Sequence, residues 1–103
     1  MATWQVGTYR LYQYAGKTNG AKAVIRLEEQ GGSNALHAYF TTEDPLPQNN
    51  VSGSFYFLYF PYDMFLPMME MLREEKPVWV HAMNQYNVYV GTGQEPIGED
   101  EGP

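Results

Sequence analysis

Cysteine is absent from the 103 residues of this chain, which excludes disulfide bonds, thiolate zinc sites and thiol nucleophiles. No apolar run approaches the roughly 20 residues of a membrane-spanning helix, and the longest such run, residues 55–60, is aromatic and strand-like. The first five residues carry neither a positive charge nor an apolar run, so no signal peptide is expected. These absences predict a soluble, cytoplasmic protein.

Charge of one sign is missing from each end of the chain. Residues 1–27 contain no acid, and residues 93–103 contain no base, so the net charge of −6 hides a marked asymmetry. The terminal stretch is rich in Gly, Pro and acidic residues, a composition that buries too little apolar surface to order itself. We therefore predict a single domain over residues 1–92 and an acidic, flexible tail over residues 93–103.

The chain does contain a regular series of strand-like segments. They are rich in β-branched and aromatic residues, and Gly- and Asn-containing turns separate several of them. The predicted strands cover residues 3–14, 21–29, 35–42, 53–60, 78–83 and 86–92, and a helix covers residues 61–76. This series predicts an α+β fold, a curled antiparallel sheet or a small, partly open barrel of about six strands in the order β-β-β-β-α-β-β, with one helix packed on it.

The first strand changes parity at Gly7. Trp4 and Val6 share one parity, whereas Tyr9 and Leu11 share the other. A β-bulge inserts one extra residue and so returns the side chains beyond it to the original face. We predict a bulge at Gly7 that turns all four side chains toward the core.

The strand predicted for residues 53–60 is apolar on both faces, which is typical of an interior strand. One helix covers one face, so we expect a second copy of the chain to cover the other. The helix, with Asp63 as its predicted N-cap, is rich in Met, a residue that adapts readily to partners. Core, protein interface and apolar pocket all stay open as roles for these side chains. The residues assigned to an interface or an apolar pocket are Tyr56, Leu58, Phe60, Met64, Met68 and Met71.

The basic amino-terminal hairpin interleaves cations with aromatic residues. Cations that follow a phosphate backbone and aromatic rings on which bases stack are the components of single-stranded nucleic-acid sites. The alternative is the solvated face of a small sheet. The candidate contacts are Arg10, Tyr12, Tyr14, Lys22 and Arg26.

Catalytic and metal-binding patterns are missing. His37 and His81 lie on different predicted strands, and each is a candidate polar element of a site because imidazole titrates near neutral pH. No metal-binding His spacing or nucleophile elbow accompanies them, and neither Gly-Gly-Ser at residues 31–33 nor Gly-Thr-Gly at residues 91–93 precedes a helix as a phosphate loop requires. We therefore expect no metal, no cofactor and no catalytic residue.

Three hypotheses follow. The leading one is a non-catalytic binding module that forms a homodimer. The second is a single-stranded nucleic-acid-binding protein, and the third is a small enzyme or apolar-ligand-binding protein with a Tyr- and Met-lined pocket. The strand order loosely resembles that of small oligonucleotide-binding barrels, but here four strands precede the helix, so the resemblance implies no site.

Overall fold

The computed structural model describes residues 2–18, 21–84 and 87–93, and the predicted acidic tail lies almost entirely outside them. The described residues form one seven-stranded sheet, curled into a half-barrel, and one helix, which confirms the predicted α+β fold. The strands are β1 (Ala2–Thr18), β2 (Ala21–Glu29), β3 (Ala35–Thr41), β4 (Asn50–Ser52), β5 (Phe55–Pro61), β6 (Val78–Asn84) and β7 (Asn87–Thr92). Their order across the sheet is β4-β5-β3-β2-β1-β6-β7.

The sheet is mixed because β3 and β5 are parallel, while the other described pairs are antiparallel. The Pro- and Asn-rich residues 43–52, between β3 and β5, include the short strand β4, which pairs with β5. The side chain of Asn49, just before β4, accepts a hydrogen bond from the backbone N–H of Tyr59 at 2.8 Å. The Pro-rich connection thus supplies a seventh strand at the sheet edge.

The core lies on the inner face of the sheet, beneath the helix. Residues that pair directly across neighbouring strands share a face, so the register defines rows of core side chains. Three such rows cross β2, β3 and β5, namely Leu27–Leu36–Tyr56, Ile25–Ala38–Leu58 and Ala23–Phe40–Phe60. Trp4 joins this core from β1, opposite Val80 of β6.

The helix α1 (Phe65–Glu74) begins later than predicted, after a 3₁₀ turn over Tyr62–Met64. The prediction that Asp63 is the N-cap is wrong, because Asp63 lies in that turn and the N-cap is Met64. This start places Pro67 in the first helical turn, where its missing N–H has no partner within the helix in any case. The ring of Phe65 meets Phe40 edge-on at 5.3 Å, and Met68 is buried in the core.

The predicted bulge at Gly7 is present. Val6 pairs with Glu29 and Thr8 pairs with Glu28, so two steps along β1 match one step along β2. A Cβ atom at Gly7 would lie 2.8 Å from the backbone Cα of Gln30, so the close approach of the chains requires glycine.

Within the described part of the chain, α1 is too short and too polar to cross a bilayer, and no other helix has the length and apolarity required.

Candidate functional site

Strand β1 has two segments with different neighbours. Residues 2–5 pair with β6. Residues 8–13, here called the open segment, pair in continuous register with β2 on one side, and no described strand pairs with their other side. Among the residues that the structure describes, this segment therefore presents an unpaired sheet edge.

Large apolar side chains project from both faces of the open segment. Tyr9 and Leu11 pair with the core residues Leu27 and Ile25, so they lie on the inner face, yet they are 36% and 41% exposed. Tyr12 lies on the outer face and is 38% exposed. An unpaired edge flanked by exposed apolar side chains is a template for pairing with another strand.

The charges beside the open segment are partly neutralised on the outer face. Arg10 pairs with Arg26 across the two strands. Arg26 Nε lies 3.0 Å from Glu28 Oε2, and the Thr8 hydroxyl donates to Glu28 Oε1 at 3.0 Å. A hydrogen bond to Tyr12, together with the charges of Tyr12 and Glu28, raises the pKa of Arg10 above its ordinary value. Within the open segment, Arg10 is the cation, and it is exposed.

Aromatic rings continue the outer face across β3 and β5. His37 stacks on Phe57 at 5.1 Å and Tyr39 stacks on Tyr59 at 5.1 Å, with interplanar angles of 14° and 22°. Because these rings stack on one another across the strands, part of their faces is already occupied. This arrangement reduces the ring area open to a stacked base.

The two histidines are far apart on this sheet. His37 lies on β3 and His81 on β6, so β2 and β1 intervene. Three strand spacings amount to about 14 Å along the sheet, which prevents both imidazoles from contacting one reacting atom.

Each histidine has a local environment of its own. Burial and the nearby charge of Arg26 lower the pKa of His37, so this imidazole is neutral at pH 7. His81 stacks on Tyr89 at 4.6 Å, and its Nδ1 lies 3.5 Å from the Thr3 hydroxyl. In residues 2–18, 21–84 and 87–93 no group of three His, Asp or Glu side chains is placed to hold a metal ion.

The apolar residues assigned from sequence to an interface or pocket lie mainly in the core of the same chain. Tyr56, Leu58 and Met68 are buried, and Phe60 and Met71 pack against them. Met64, at 44% exposure, is the one of the six that lies open. The chain's own helix covers the inner face of β5, so this face is not a free surface for a partner.

The residues assigned to nucleic-acid contact lie at or near the surface. Arg10, Tyr12, Tyr14 and Lys22 are exposed and Arg26 is half-buried. The strand register places Arg10 and Arg26 side by side, as expected from the bulge. Lys22 reaches toward the 3₁₀ turn instead, with Nζ 5.6 Å from the ring centroid of Tyr62.

Three shallow cavities of about 500 Å³ each lie around the sheet. One lies between the bulge and the connection from α1 to β6, another lies beside Thr41 and Asp63, and the third lies between Tyr14 and Tyr62. Helix methionines line none of these three. They are therefore not the Tyr- and Met-lined pocket of the third hypothesis.

Sequence reasoning missed the exposure of Tyr9 and Leu11. It predicted their face correctly, but not the lack of cover over that face. One signal was available, because the first predicted strand was the longest of the series. A strand longer than its neighbours overhangs them, and β1 spans 17 residues whereas β6 spans 7.

Comparison of this chain with protein-family models, with curated proteins and with solved structures finds no match. The α+β half-barrel defines the class of fold, and the open segment of β1 is the candidate functional surface.

Proposed function

We propose that this protein is a non-catalytic binding module that forms a homodimer by pairing the open segments of two β1 strands. The observation that carries the proposal is a free edge with exposed apolar side chains on both of its faces. We propose this edge, and not the inner face of β5, as the dimer surface, because the chain covers that face by itself.

Pairing with a second copy gives the unpaired backbone groups of this edge hydrogen-bond partners, and it does so symmetrically. Two identical antiparallel strands meet about a two-fold axis, the commonest symmetry of soluble dimers. Each copy supplies the unpaired backbone groups and the apolar side chains that the other lacks. The resulting sheet is continuous and its β1 edges are closed.

The expected affinity is modest. Tyr9, Leu11 and Tyr12 are each about two-fifths exposed, and full burial of such a side chain contributes about 1.5–3 kcal/mol. Covering the exposed parts of these side chains in two copies therefore contributes roughly 3–7 kcal/mol, and backbone hydrogen bonds add about 0.5–1.5 kcal/mol each. Association costs about 4–15 kcal/mol, so we expect a dimer that dissociates on dilution.

Light scattering during size-exclusion chromatography tests this proposal. We expect the mass to rise toward that of a dimer as the concentration increases from about 10 to 500 µM, the range of weak association. Leu11→Lys places a charge in the joint and should leave a monomer. Leu66→Lys is the matched control, because Leu66 is 61% exposed and belongs to α1, not to β1. A wild-type monomer at every concentration refutes the homodimer.

Single-stranded nucleic-acid binding is the second candidate function. The strand register supports it by placing Arg10 beside Arg26, with Tyr12 one row further along the same outer face. Glu28 counts against this candidate function, because its carboxylate lies beside Arg26 and neutralises part of the positive charge. Phosphate contacts produce strongly salt-dependent binding, so we expect retention of a single-stranded oligonucleotide at low salt that weakens when Lys22 and Arg26 are changed to Glu.

The double variant Arg73→Glu/Lys76→Glu, on α1 and just after it, is the charge-matched control for that experiment. Equal loss in both variants would indicate a non-specific charge effect. Absence of retention at low salt refutes this function.

A further inference from the structure

We propose that residues 94–103 of the acidic tail extend along the open segment of β1 in their own chain and close its unpaired edge. These residues follow the part of the chain that the structure describes. The direction of β7, the space beside the open segment, and the parity and charge of the side chains support this placement. A docked tail competes with a second copy for the same edge. This competition rests on the proposed function, whereas the docking does not.

Strand β7 directs the chain toward the open segment. Both β7 and β1 are antiparallel to β6, so they run in the same direction. One row across the three strands joins Gln5, Trp79 and Gly91. Thr92 is the next residue of β7, so it lies level with Val6, where the unpaired part of β1 begins. The chain therefore leaves the sheet in the direction in which the open segment runs.

A short length of chain spans the gap between β7 and the open segment. The position beside the open segment continues the line of β6, one strand spacing of about 4.8 Å from the line of β7. Because of the bulge, three strand steps of about 3.3 Å each lead from Val6 to Arg10. A position beside Arg10 is therefore about 11 Å from Thr92, a distance that three or four extended residues cover. Glu95 is the third residue after Thr92.

The structure leaves space for the tail beside this edge. A cavity of about 500 Å³ separates Thr8 and Tyr9 from the connection between α1 and β6. That connection comes from α1, which packs on the inner face, so a segment on the outer side of the sheet passes without displacing it. Residues 10–13 do not line the cavity, and no described strand pairs with their free side. Lys76 of the connection is exposed beside the path of the tail.

Parity predicts which side chains of the tail meet the outer face. Val90 packs on the core, so the next residue, Gly91, lies on the outer face. Alternate residues of an extended chain share a face. Glu95, Ile97 and Glu99 are all an even number of residues from Gly91 and therefore point to the outer face.

The outer face of the open segment carries the matching groups. Arg10 and Tyr12 lie there, and both are exposed. Residues 94–103 contain four acids and no base. Opposite charges and aromatic–β-branched pairs are favourable across neighbouring strands, so a carboxylate suits Arg10 and Ile97 suits Tyr12. Pro96 is compatible because the tail becomes the outermost strand, where a missing N–H is tolerated.

A spin label in the tail tests this placement in the full chain. Because the natural chain has no cysteine, Gly98→Cys carries a single nitroxide and keeps Ile97. A nitroxide broadens the NMR signals of nearby amides, and the same sample after reduction of the nitroxide is the reference. We expect the signals of residues 10–13 to lose most of their intensity. The signals of β4, at the opposite edge of the sheet, should keep theirs, and circular dichroism establishes that the variant is folded.

Two further samples define the contact. Arg10→Glu should restore most of the lost intensity at residues 11–13, because it places like charges together. Arg73→Glu, on α1, is the charge-matched control and should leave the broadening unchanged. When isotope-labelled chains without the nitroxide are mixed with nitroxide-bearing chains without the isotope, the edge signals should stay sharp, because the contact lies within one chain.

The outcomes separate the docking from the homodimer. Edge signals that keep their intensity, broadening in the mixed sample, or equal effects of the two Arg variants overturn the docking and leave the homodimer standing. A wild-type monomer at every concentration refutes the homodimer and leaves the docking standing.

Neutralising the tail tests the competition between tail and second copy. The variant should weaken the docked tail and lower the concentration at which the mass rises toward that of a dimer. An unchanged concentration dependence overturns the competition. The four substitutions are Glu95→Gln, Glu99→Gln, Asp100→Asn and Glu101→Gln.

Discussion

The two segments of strand β1 show how burial depends on neighbours. Trp4, in the segment paired with β6, is 2% exposed, whereas Leu11, in the open segment, is 41% exposed. Both side chains are large and apolar, and both point to the inner face. The difference arises because β6 continues the sheet beside residues 2–5 and no described strand continues it beside residues 8–13. The first segment is therefore a fold element, and the second is a candidate surface.

The largest expected contrast comes from truncating one side chain in each segment. Trp4→Ala should destabilise the monomer by about 3–5 kcal/mol, because it empties a buried site against Tyr56 and Val80. Leu11→Ala should cost about 1 kcal/mol, since nothing packs over much of this side chain. Urea unfolding at low protein concentration measures both changes, and equal losses would contradict the contrast.

A control for Trp4 separates ring packing from polarity. The indole N–H of Trp4 is buried and has no hydrogen-bond partner within the described residues. Trp4→Phe keeps an aromatic ring and removes that donor, so it should cost clearly less than Trp4→Ala.

The junction between the segments gives the next effect. Gly7→Ala forces a Cβ atom against the backbone of Gln30 at 2.8 Å, and we expect a loss of about 1–3 kcal/mol. Gly16→Ala, for which no heavy atom lies within 4 Å of the added Cβ, should be nearly neutral. Thermal unfolding of both variants measures the difference, and a tolerated Gly7→Ala would show that the bulge is not constrained.

A smaller effect concerns the open segment alone. If the open segment joins two copies, the midpoint temperature of thermal unfolding should rise with protein concentration. Once the dimer dominates, each tenfold increase in concentration adds up to about 1.4 kcal/mol to the free energy of unfolding. Leu11→Lys should abolish this dependence, and Leu66→Lys should keep it. A wild-type midpoint that does not change with concentration would count against pairing at this edge.

The smallest effect lies on the outer face, away from β1. Burial lowers the pKa of His37 in the folded state below the ordinary value of 6.5. The unfolded chain therefore binds more protons between these two values, so stability is full above about pH 6.5 and falls as the pH decreases through that window. His37→Gln should flatten this part of the profile. A profile that is the same in wild type and His37→Gln would exclude His37 as its source.

Sequence patterns predicted on which face of the sheet a side chain lies. They predicted much less well which other segments pack over that face. The parity change at Gly7 correctly predicted a bulge, and it correctly placed Tyr9 and Leu11 on the inner face. The sequence of the methionine-rich helix did not distinguish a core role from an interface role, because a methionine such as Met68 suits either environment. The prolines and asparagines of residues 43–52 concealed β4, since they forbid a long strand but permit the three residues of this one.

What the sequence by itself determined is the local geometry, namely which side chains share a face, where the strands turn, and where one extra residue is inserted. These features depend on backbone periodicity and on residues adjacent in the chain. The tertiary structure alone decided that β5 runs parallel to β3, which of the two apolar faces of β5 joins the core, and that the pairing of β1 with β6 ends at Gln5. Each of these depends on segments tens of residues apart. The exposure of Tyr9, Leu11 and Tyr12 depends on such segments too, because it arises where no described strand pairs with β1.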